Sequence, residues 1–342
     1  MTSLAEVVDV VIGVDTHKHS HTASVVAAAT GAELGHETVT TDPEGYGQLV
    51  ALGEHHGGLR AWAIESTGGY GAGLKRHLEA LGEWVIELDR PNRPARRNGA
   101  KSDPLDATRA AREALAREHL AQPRAAGDRA ALAVLVAARR SAIEGATVAQ
   151  RQLHALVTAA PEALRARFRG HKTRGMLTVA AKLGIHTSWD NETATTARTL
   201  RCLARRNLAL EGEARDYERA ILAIVRSWRP DLLDQFGVGA IVAAVVLCAW
   251  SHPGRCRNEA AFANLAGVAP IPASSGQTVR YRLNRCGDRQ LNRALHVIVL
   301  HRMRHDPTTR AYAVRRRAEG KTDREIKALR RPPALPPART TP

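Results

Sequence analysis

The order of apolar segments over residues 1–88 constrains the fold of this chain more than any other feature. Three β-rich segments follow one another before the first helical pattern begins, and strand and helix patterns then alternate. The five predicted strands cover residues 7–14, 22–28, 33–41, 60–64 and 84–88. A doubly wound nucleotide-binding domain would instead begin strand, helix, strand, with a glycine-rich phosphate loop that this sequence lacks. The pattern therefore predicts a mixed sheet that opens with three strands in succession.

This order of elements is typical of the ribonuclease-H-like sheet, so we expect an α/β fold for the first part of the chain. Residues 107–236 are rich in Ala, Leu, Arg and Glu, with apolar positions at helical spacing. They predict long antiparallel helices, which either form a coiled-coil arm or serve as a plain helical linker. In the last third, an apolar helix follows the turn at residues 237–239, and Asp288 is the predicted N-cap of a helix over residues 291–303. The predicted fold class is α/β plus α.

The charge of the chain points to a polyanionic partner. It carries 50 Lys and Arg against 34 Asp and Glu, a formal net charge of +16, which favours nucleic acid or a membrane surface. Residues 237–342 hold 19 basic and 6 acidic side chains, whereas residues 1–236 have a net charge of only +3.

The longest apolar run, from Ala240 to Trp250, is about half of a ~20-residue membrane span, and residues 1–14 do not resemble a signal peptide. We therefore expect a cytoplasmic protein without membrane association.

Four acidic residues carry the strongest chemical signal. Asp15 and Glu65 each follow an apolar strand, where the first and fourth strands of a ribonuclease-H-like sheet present carboxylates. Asp103 and Asp106 are three positions apart, and with Pro104 as the first helical residue both can project from one turn of a helix. Converging carboxylates repel one another unless cations neutralise them, and hard oxygen ligands suit Mg²⁺ or Mn²⁺. Each acid alone is more simply explained as a loop acid or a helix cap. Together, in this order, they predict a metal-dependent phosphoryl-transfer site.

The motifs around these acids resemble the DEDD transposases of the insertion-sequence family IS110 (IS one-ten), which includes the pilin-gene invertases. The likeness runs from Val11 to about Arg330. Its N-terminal motifs are Gly-Val-Asp-Thr-His-Lys (13–18), Glu-Ser-Thr-Gly-Gly-Tyr (65–70) and Asn-Gly-Ala-Lys-Ser-Asp-Pro-Leu-Asp-Ala (98–107). Its C-terminal motifs are Gly-Val-Gly (237–239), Phe-Ala-Asn-Leu-Ala-Gly-Val-Ala-Pro (262–270), Ser-Gly (275–276) and Gly-Asp-Arg (287–289) with Leu291.

The resemblance implies a particular domain order and assembly. A RuvC-like nuclease domain would cover residues 8–118, a helical coiled-coil arm residues 119–235, and a mainly helical C-terminal transposase domain residues 236–329; the Pro-rich residues 330–342 are expected to be a disordered tail. The four acids would hold Mg²⁺. Members of the family act on DNA as homo-oligomers, here a dimer or tetramer, in which the serine site of one subunit joins the carboxylate site of another. Some are guided by a structured RNA that the element encodes.

The nucleophilic serine implied by the resemblance maps to Ser275, directly before Gly276, with Ser274 as the alternative. A hydroxyl in a Ser-Gly turn near arginines can approach a phosphate whose developing charge the guanidinium groups stabilise. The predicted nucleic-acid contacts are Arg280, Arg282, Arg285, Arg289 and Arg293. One departure from the family pattern is Asn284-Arg285-Cys286, where a pair of basic residues before the glycine is commoner.

The predicted function is therefore that of a DNA transposase or site-specific recombinase which combines a metal-dependent carboxylate site with a serine. Two other interpretations stay open at this point. A RuvC-like structure-specific endonuclease or junction resolvase would use the same acids with water as its nucleophile. A non-catalytic DNA- or RNA-binding protein would need none of the acids, and the presence of all four argues against it.

Overall fold

The computed structural model describes a chain of two compact units, Met1–Ala125 and Ala126–Pro342, called the N-terminal and C-terminal units below. The residues that it describes are 3–88, 102–269, 271–272, 281–282, 284, 286–323 and 326.

The N-terminal unit is built on a five-stranded mixed sheet. Its strands are β1 (Val10–Thr16), β2 (Ser20–Ala27), β3 (Glu33–Thr40), β4 (Arg60–Glu65) and β5 (Trp84–Leu88), and its helices are α1 (Pro43–His55), α2 (Ala72–Ala80) and α3 (Asp103–Ala116). The strand order is β3-β2-β1-β4-β5. β1, β2 and β3 pair antiparallel, whereas β1, β4 and β5 run parallel. This arrangement confirms the ribonuclease-H-like α/β fold that the order of the apolar segments predicts.

Both faces of the sheet are covered, because neighbouring residues on its central strands are all buried. On one face Val11 packs in a cluster with Ala63 and the small side chains of α3, including Ala111. On the other face Ile12 packs with Trp62 and with leucines of α1 and α2. A strand buried on both sides has a continuous apolar run rather than an alternating one. The alanine-rich contact brings α3 close to the centre of the sheet.

The first strand begins later than the sequence pattern predicts. Residues Leu4–Glu6 form a short 3-10 helix, and β1 starts at Val10 rather than at Val7. Val7 is 43% exposed, so its apolar side chain does not belong to a buried strand. The other predicted strand boundaries in this unit differ from the observed ones by one or two residues at most, which is within the usual ambiguity of element ends.

The C-terminal unit is mainly helical. Its helices are α4 (Asp128–Ala159), α5 (Glu162–Arg165), α6 (Thr173–Ala181), α7 (Asn191–Trp228), α8 (Ala240–Trp250), α9 (Glu259–Leu265), α10 (Arg289–His305) and α11 (Pro307–Ala318). Short 3-10 turns lie at Ala166–Phe168 and Pro230–Leu232, and the two-residue strands β6 (Ile271–Pro272) and β7 (Tyr281–Arg282) pair antiparallel. None of the described helices combines the length with the apolar composition that a membrane-spanning helix needs.

The two longest helices, α4 and α7, run antiparallel and pack along their length. Leu132 near the start of α4 clusters with Ile221 and Val225 near the end of α7, whereas Leu153 near the end of α4 clusters with Leu200 near the start of α7. Six other buried positions on the two helices are alanines, which allow the backbones to approach closely. The prediction of long antiparallel helices in the middle of the chain is confirmed.

Helix α8 connects this helical pair with the last helices. Through Leu247 it packs on α4 and α7, and through Val246 it packs on α10. The predicted N-cap of α10 is confirmed, because the Asp288 carboxylate accepts hydrogen bonds from the amides of Gln290 (2.8 Å) and Leu291 (3.0 Å). The helix extends two residues beyond each end of the predicted range 291–303.

Candidate metal-binding site

Asp15 and Glu65 lie at the same edge of the sheet, on two neighbouring strands. β1 and β4 are parallel, with Val14 opposite Ile64, so the two acids are the next residues on their strands. The Thr16 hydroxyl donates a hydrogen bond to the Glu65 carbonyl oxygen at 3.2 Å and ties the two strand ends together. Both acids therefore stand at the carboxyl ends of parallel strands, as the sequence pattern predicts.

His17 lies between Asp15 and Asp103. Its Nδ1 is 3.8 Å from Asp15 Oδ2 and 3.8 Å from Asp103 Oδ2. One possible ligand atom of each of the three residues lies within 4.8 Å of the other two. The side chain of Asp15 is 16% exposed, whereas those of His17 and Asp103 are 44% and 49% exposed. Among the described residues, this is the one group of three His, Cys, Asp or Glu side chains that could share a metal ion.

His17 is the site residue that the sequence interpretation missed. It belongs to the motif at residues 13–18, but an Asp-x-His spacing does not by itself show that the imidazole meets Asp103. The His17 amide donates to the Ser20 carbonyl oxygen at 3.0 Å, which closes a tight turn between β1 and β2. That turn keeps the imidazole beside the last residues of β1.

Asp106 lies one helical turn beyond Asp103 and has its own cationic partner. Arg109 Nη1 donates to Asp106 Oδ1 at 2.9 Å, and the Asp106 side chain is 32% exposed. α3 begins at Asp103 with Ser102 as its N-cap, so Pro104 is the second helical residue rather than the first. An exposed i,i+3 ion pair contributes less than about 1 kcal/mol. Rotation of Asp106 away from Arg109 would therefore cost little.

A glycine and a hydroxyl network hold the first turns of α3 on the sheet. Gly13 in β1 has no side chain, which lets the backbone of α3 lie directly against the strand. On β2, Ser24 Oγ lies 2.8 Å from Thr108 Oγ1. The Thr108 hydroxyl also reaches Glu33 Oε2 at 3.0 Å and the Pro104 carbonyl oxygen at 2.9 Å. These contacts anchor the helix within one or two turns of Asp103.

The donor set fits a divalent cation. Two carboxylates and one imidazole nitrogen provide two negative charges and three ligand atoms, and carboxylates suit Mg²⁺ and Mn²⁺. The exposure of His17 and Asp103 leaves one side of the group open to solvent, as a metal site that exchanges water for substrate requires. Without a cation, carboxylates at this separation would repel each other.

The residues predicted in the C-terminal unit are only partly described. Those that lie outside the described residues are Ser274, Ser275, Arg280 and Arg285. Arg282 is exposed in β7. Arg289 and Arg293 are exposed one turn apart at the start of α10, directly after the Asp288 cap.

Comparison with known proteins supplies the family. A DEDD family model described as "Transposase" matches residues 12–160, and a model described as "Transposase IS116/IS110/IS902 family" matches residues 231–314. The chain is 30% identical over 366 residues to the "Insertion element IS900 uncharacterized 42 kDa protein" of Mycobacterium paratuberculosis, which covers 90% of this chain and 89% of that protein. The chain belongs to the IS110 family of transposases. It is also 35% identical over 123 residues to the "Insertion element IS110 uncharacterized 43.6 kDa protein" of Streptomyces coelicolor, which covers 35% of this chain and 30% of that protein.

Membership in the IS110 family confirms the resemblance that the motifs indicate. It makes the chain an enzyme that cleaves and recombines DNA, and so a DNA-binding protein. Asp15, Glu65, Asp103 and Asp106 all fall within the range matched by the DEDD transposase model.

Proposed function

We propose that this IS110 transposase cuts and rejoins DNA strands with a divalent-metal site and a nucleophilic serine. The metal ion, Mg²⁺ or Mn²⁺, would be held by the four predicted acids and His17. The observation that carries the proposal is the convergence of Asp15, His17 and Asp103, whose ligand atoms lie within 4.8 Å of one another. Glu65 stands beside Asp15 on the next strand, and Asp106 stands one turn from Asp103.

Each residue would contribute in a way that follows from its position. A bound divalent ion would neutralise the carboxylates and act as a Lewis acid toward a phosphodiester oxygen. Asp15 and Glu65 come from the centre of a buried sheet, so they would form the rigid part of the site. Asp103 and Asp106 come from a helix that packs on that sheet, and Arg109 would release Asp106 when the site is loaded.

Ser275 would supply the nucleophile for strand exchange. Its hydroxyl oxygen would form a bond to phosphorus while the strand's P–O bond breaks and the leaving oxygen takes up a proton. Support comes from the resemblance of residues 275–276 to the family motif and from the match of residues 231–314 to the IS110 transposase model. The basic side chains that would face DNA are Arg280, Arg282, Arg285, Arg289 and Arg293.

The proposal includes two further partners that the resemblance implies. One is a second copy of the chain, as a dimer or tetramer; the other is a structured guide RNA encoded beside the gene. Co-expression with the DNA that flanks the coding frame, followed by size-exclusion chromatography and sequencing of bound RNA, tests both. A monomer that retains full recombination activity without RNA would remove both partners from the proposal.

The central experiment is a recombination assay on the cognate element in the presence of Mg²⁺. We expect Asp15→Asn and Asp103→Asn to abolish cleavage, and Glu44→Gln, an exposed acid in the first turn of α1, to retain it. Ser275→Ala should abolish formation of a covalent serine–DNA adduct. Loss of activity in the two acid variants without loss of Mn²⁺ binding would overturn the assignment of the metal site.

The same assay separates the alternative activities. A structure-specific nuclease or junction resolvase would cut DNA equally well with Ser275→Ala, and no serine-linked DNA could be trapped. A protein that binds DNA without catalysis would show no Mg²⁺-dependent cleavage in any form. Either result would replace the recombinase mechanism.

A further inference from the structure

The long helical pair carries a concentration of positive charge at the end where α4 stops and α7 begins. The net charge of +3 for residues 1–236 conceals it. Residues 151–206, called the arm tip here, comprise the end of α4, α5, α6 and the first part of α7. They hold eleven Lys and Arg against three Asp and Glu, a net charge of +8. The rest of residues 1–236 holds twenty basic and twenty-five acidic side chains, a net charge of −5. The net positive charge of the first two thirds of the chain therefore comes from this one region.

The three acids of the arm tip already have partners within it. Glu162 accepts from Arg165 at 2.6 Å and also pairs with Arg169. Asp190 is the N-cap of α7 and accepts from the Thr193 amide at 2.8 Å. The third acid, Glu192, lies in the first turn of the same helix, where the helix dipole favours a negative charge. None of the three is thus placed to neutralise the cations further along α7.

Four of the cations lie around the C-terminal end of α6. Arg201 donates to the Leu183 carbonyl oxygen at 3.2 Å, and Arg205 donates to the Ala181 carbonyl oxygen at 3.3 Å. Lys182 lies between those two acceptors in sequence. Arg198 is three positions before Arg201 on α7 and therefore faces the same way. Lys182, Arg198, Arg201 and Arg205 are called the arm-tip cluster below.

The arm-tip cluster has more positive charge than the fold itself requires. Arg201 and Arg205 already bind the carbonyl oxygens of Leu183, just after α6, and of Ala181, its last residue. Lys182 and Arg198 are exposed, and within the described residues neither forms an ion pair. Like charges that crowd together without acids cost free energy unless a polyanion binds them.

We propose that the arm-tip cluster binds the phosphate backbone of duplex DNA, as a contact surface separate in sequence from the basic segment after residue 236. DNA is the polyanion that an IS110 transposase must hold, and phosphate contacts by Lys and Arg position a protein on a duplex without reading its sequence. The surface would hold duplex DNA through its phosphates, whatever the base sequence and independently of the metal site.

Fluorescence anisotropy with a 30-base-pair duplex of unrelated sequence, in EDTA and over a range of salt concentrations, tests the proposal. The variant Lys182→Gln/Arg198→Gln leaves the two carbonyl-bonded arginines in place. The control Arg215→Gln/Arg219→Gln makes the same charge change on the same helix, outside the arm tip, where Arg219 pairs with Asp216 at 2.6 Å. We expect the first variant to bind more weakly and to lower the slope of log K against log salt by about two, one for each phosphate that the variant no longer neutralises. The control should leave the slope unchanged.

Several outcomes would overturn the proposal. Equal effects of the two variants would show that net charge alone matters, and no effect of either would show that the arm tip does not touch DNA. A variant that loses affinity for a structured RNA of the element but keeps its affinity for duplex DNA would assign the surface to RNA instead. Because EDTA prevents metal-dependent cleavage, the result does not depend on whether the proposed metal and serine chemistry is correct. Circular dichroism before each titration verifies that the variants are folded.

Discussion

Gly13 lies so close beneath Ala107 that a Cβ atom at position 13 would stand 2.0 Å from the Ala107 carbonyl oxygen. The same atom would be 2.5 Å from the Ala111 amide nitrogen. Both obstacles are helix backbone, which cannot rotate away as a side chain can. The glycine immediately before Val14 and Asp15 thus determines how closely α3, which carries Asp103, approaches the strand that carries Asp15.

Gly13→Ala should therefore destabilise the N-terminal unit and separate the two acids. We expect the free energy of unfolding to fall by about 3 kcal/mol, because overpacking against a backbone forces the helix outward. Gly47→Ala is the matched control: Gly47 lies in α1, and a Cβ there meets nothing within 4 Å. It should raise the stability by about 0.5–1 kcal/mol. Urea unfolding of both variants measures the difference, and equal midpoints would contradict the close approach of α3.

Thr108→Val tests whether the hydroxyl network positions the acids of α3. The change keeps the shape but removes the group that contacts Ser24 and Glu33. Because Ser24 is fully buried, its unpaired hydroxyl should cost about 1–3 kcal/mol. We also expect Mn²⁺ affinity to fall about tenfold, as for other residues that orient metal ligands.

Thr108→Ser is the control for that experiment, because it retains the hydroxyl and loses one methyl group. It should lower the stability by about 1 kcal/mol and leave Mn²⁺ affinity close to that of the wild type. If Thr108→Val and Thr108→Ser bind Mn²⁺ equally well, the network stabilises the fold without positioning the site.

His17→Asn tests the ligand that the structure adds to the predicted acids. Loss of the imidazole ligand should weaken Mn²⁺ binding at least about tenfold, measured by electron paramagnetic resonance titration. His19→Asn is the matched control, since His19 is exposed two positions along the same turn. Equal Mn²⁺ affinities of the two variants would restrict the site to carboxylates.

The sequence predicts most of the sheet because most apolar runs in this part of the chain are buried strands. β5 has the predicted bounds, and Asp15 and Glu65 lie at strand ends as expected. The predicted start of β1 was wrong because Val7 is apolar but exposed, and a pattern of residue types cannot distinguish the two conditions. The N-cap at Asp288 was correct because a carboxylate before an apolar helical pattern has a local cause.

What the sequence could not supply are relationships across long separations. His17 lies beside both Asp15 and Asp103 only because α3 packs on β1. Asp103 follows His17 by 86 residues in the chain. The arm-tip cluster depends on the end of α6 facing α7. The net charge of +3 for residues 1–236 hides the positive charge of the arm tip. A sum over a long segment does not show which charged side chains lie close together in the fold.

Glu83 joins the start of β4 to the start of β5 and should make the stability of the N-terminal unit depend on pH. Its carboxylate accepts hydrogen bonds from Arg60 Nε at 2.9 Å and from Trp62 Nε1 at 2.8 Å. The Arg60 guanidinium, and then the Trp62 indole, hold the pKa of Glu83 below its usual range. The side chains of Arg60 and Glu83 are only 16% and 12% exposed, so solvent screens the pair weakly.

A depressed pKa in the folded state means that Glu83 stabilises the fold at pH values above the ordinary glutamate pKa of about 4.3. This stabilisation is lost as the pH falls through the lower pKa of the folded state. Glu83→Gln should therefore reduce the free energy of unfolding by about 2 kcal/mol at pH 7, and its difference from the wild type should shrink as the pH falls below about 4. Glu118→Gln, at an exposed position after α3, should match the wild type at every pH. Urea unfolding followed by tryptophan fluorescence measures the free energy of unfolding of all three proteins. If the loss of stability in Glu83→Gln stays constant with pH, packing rather than the carboxylate charge stabilises this edge of the sheet.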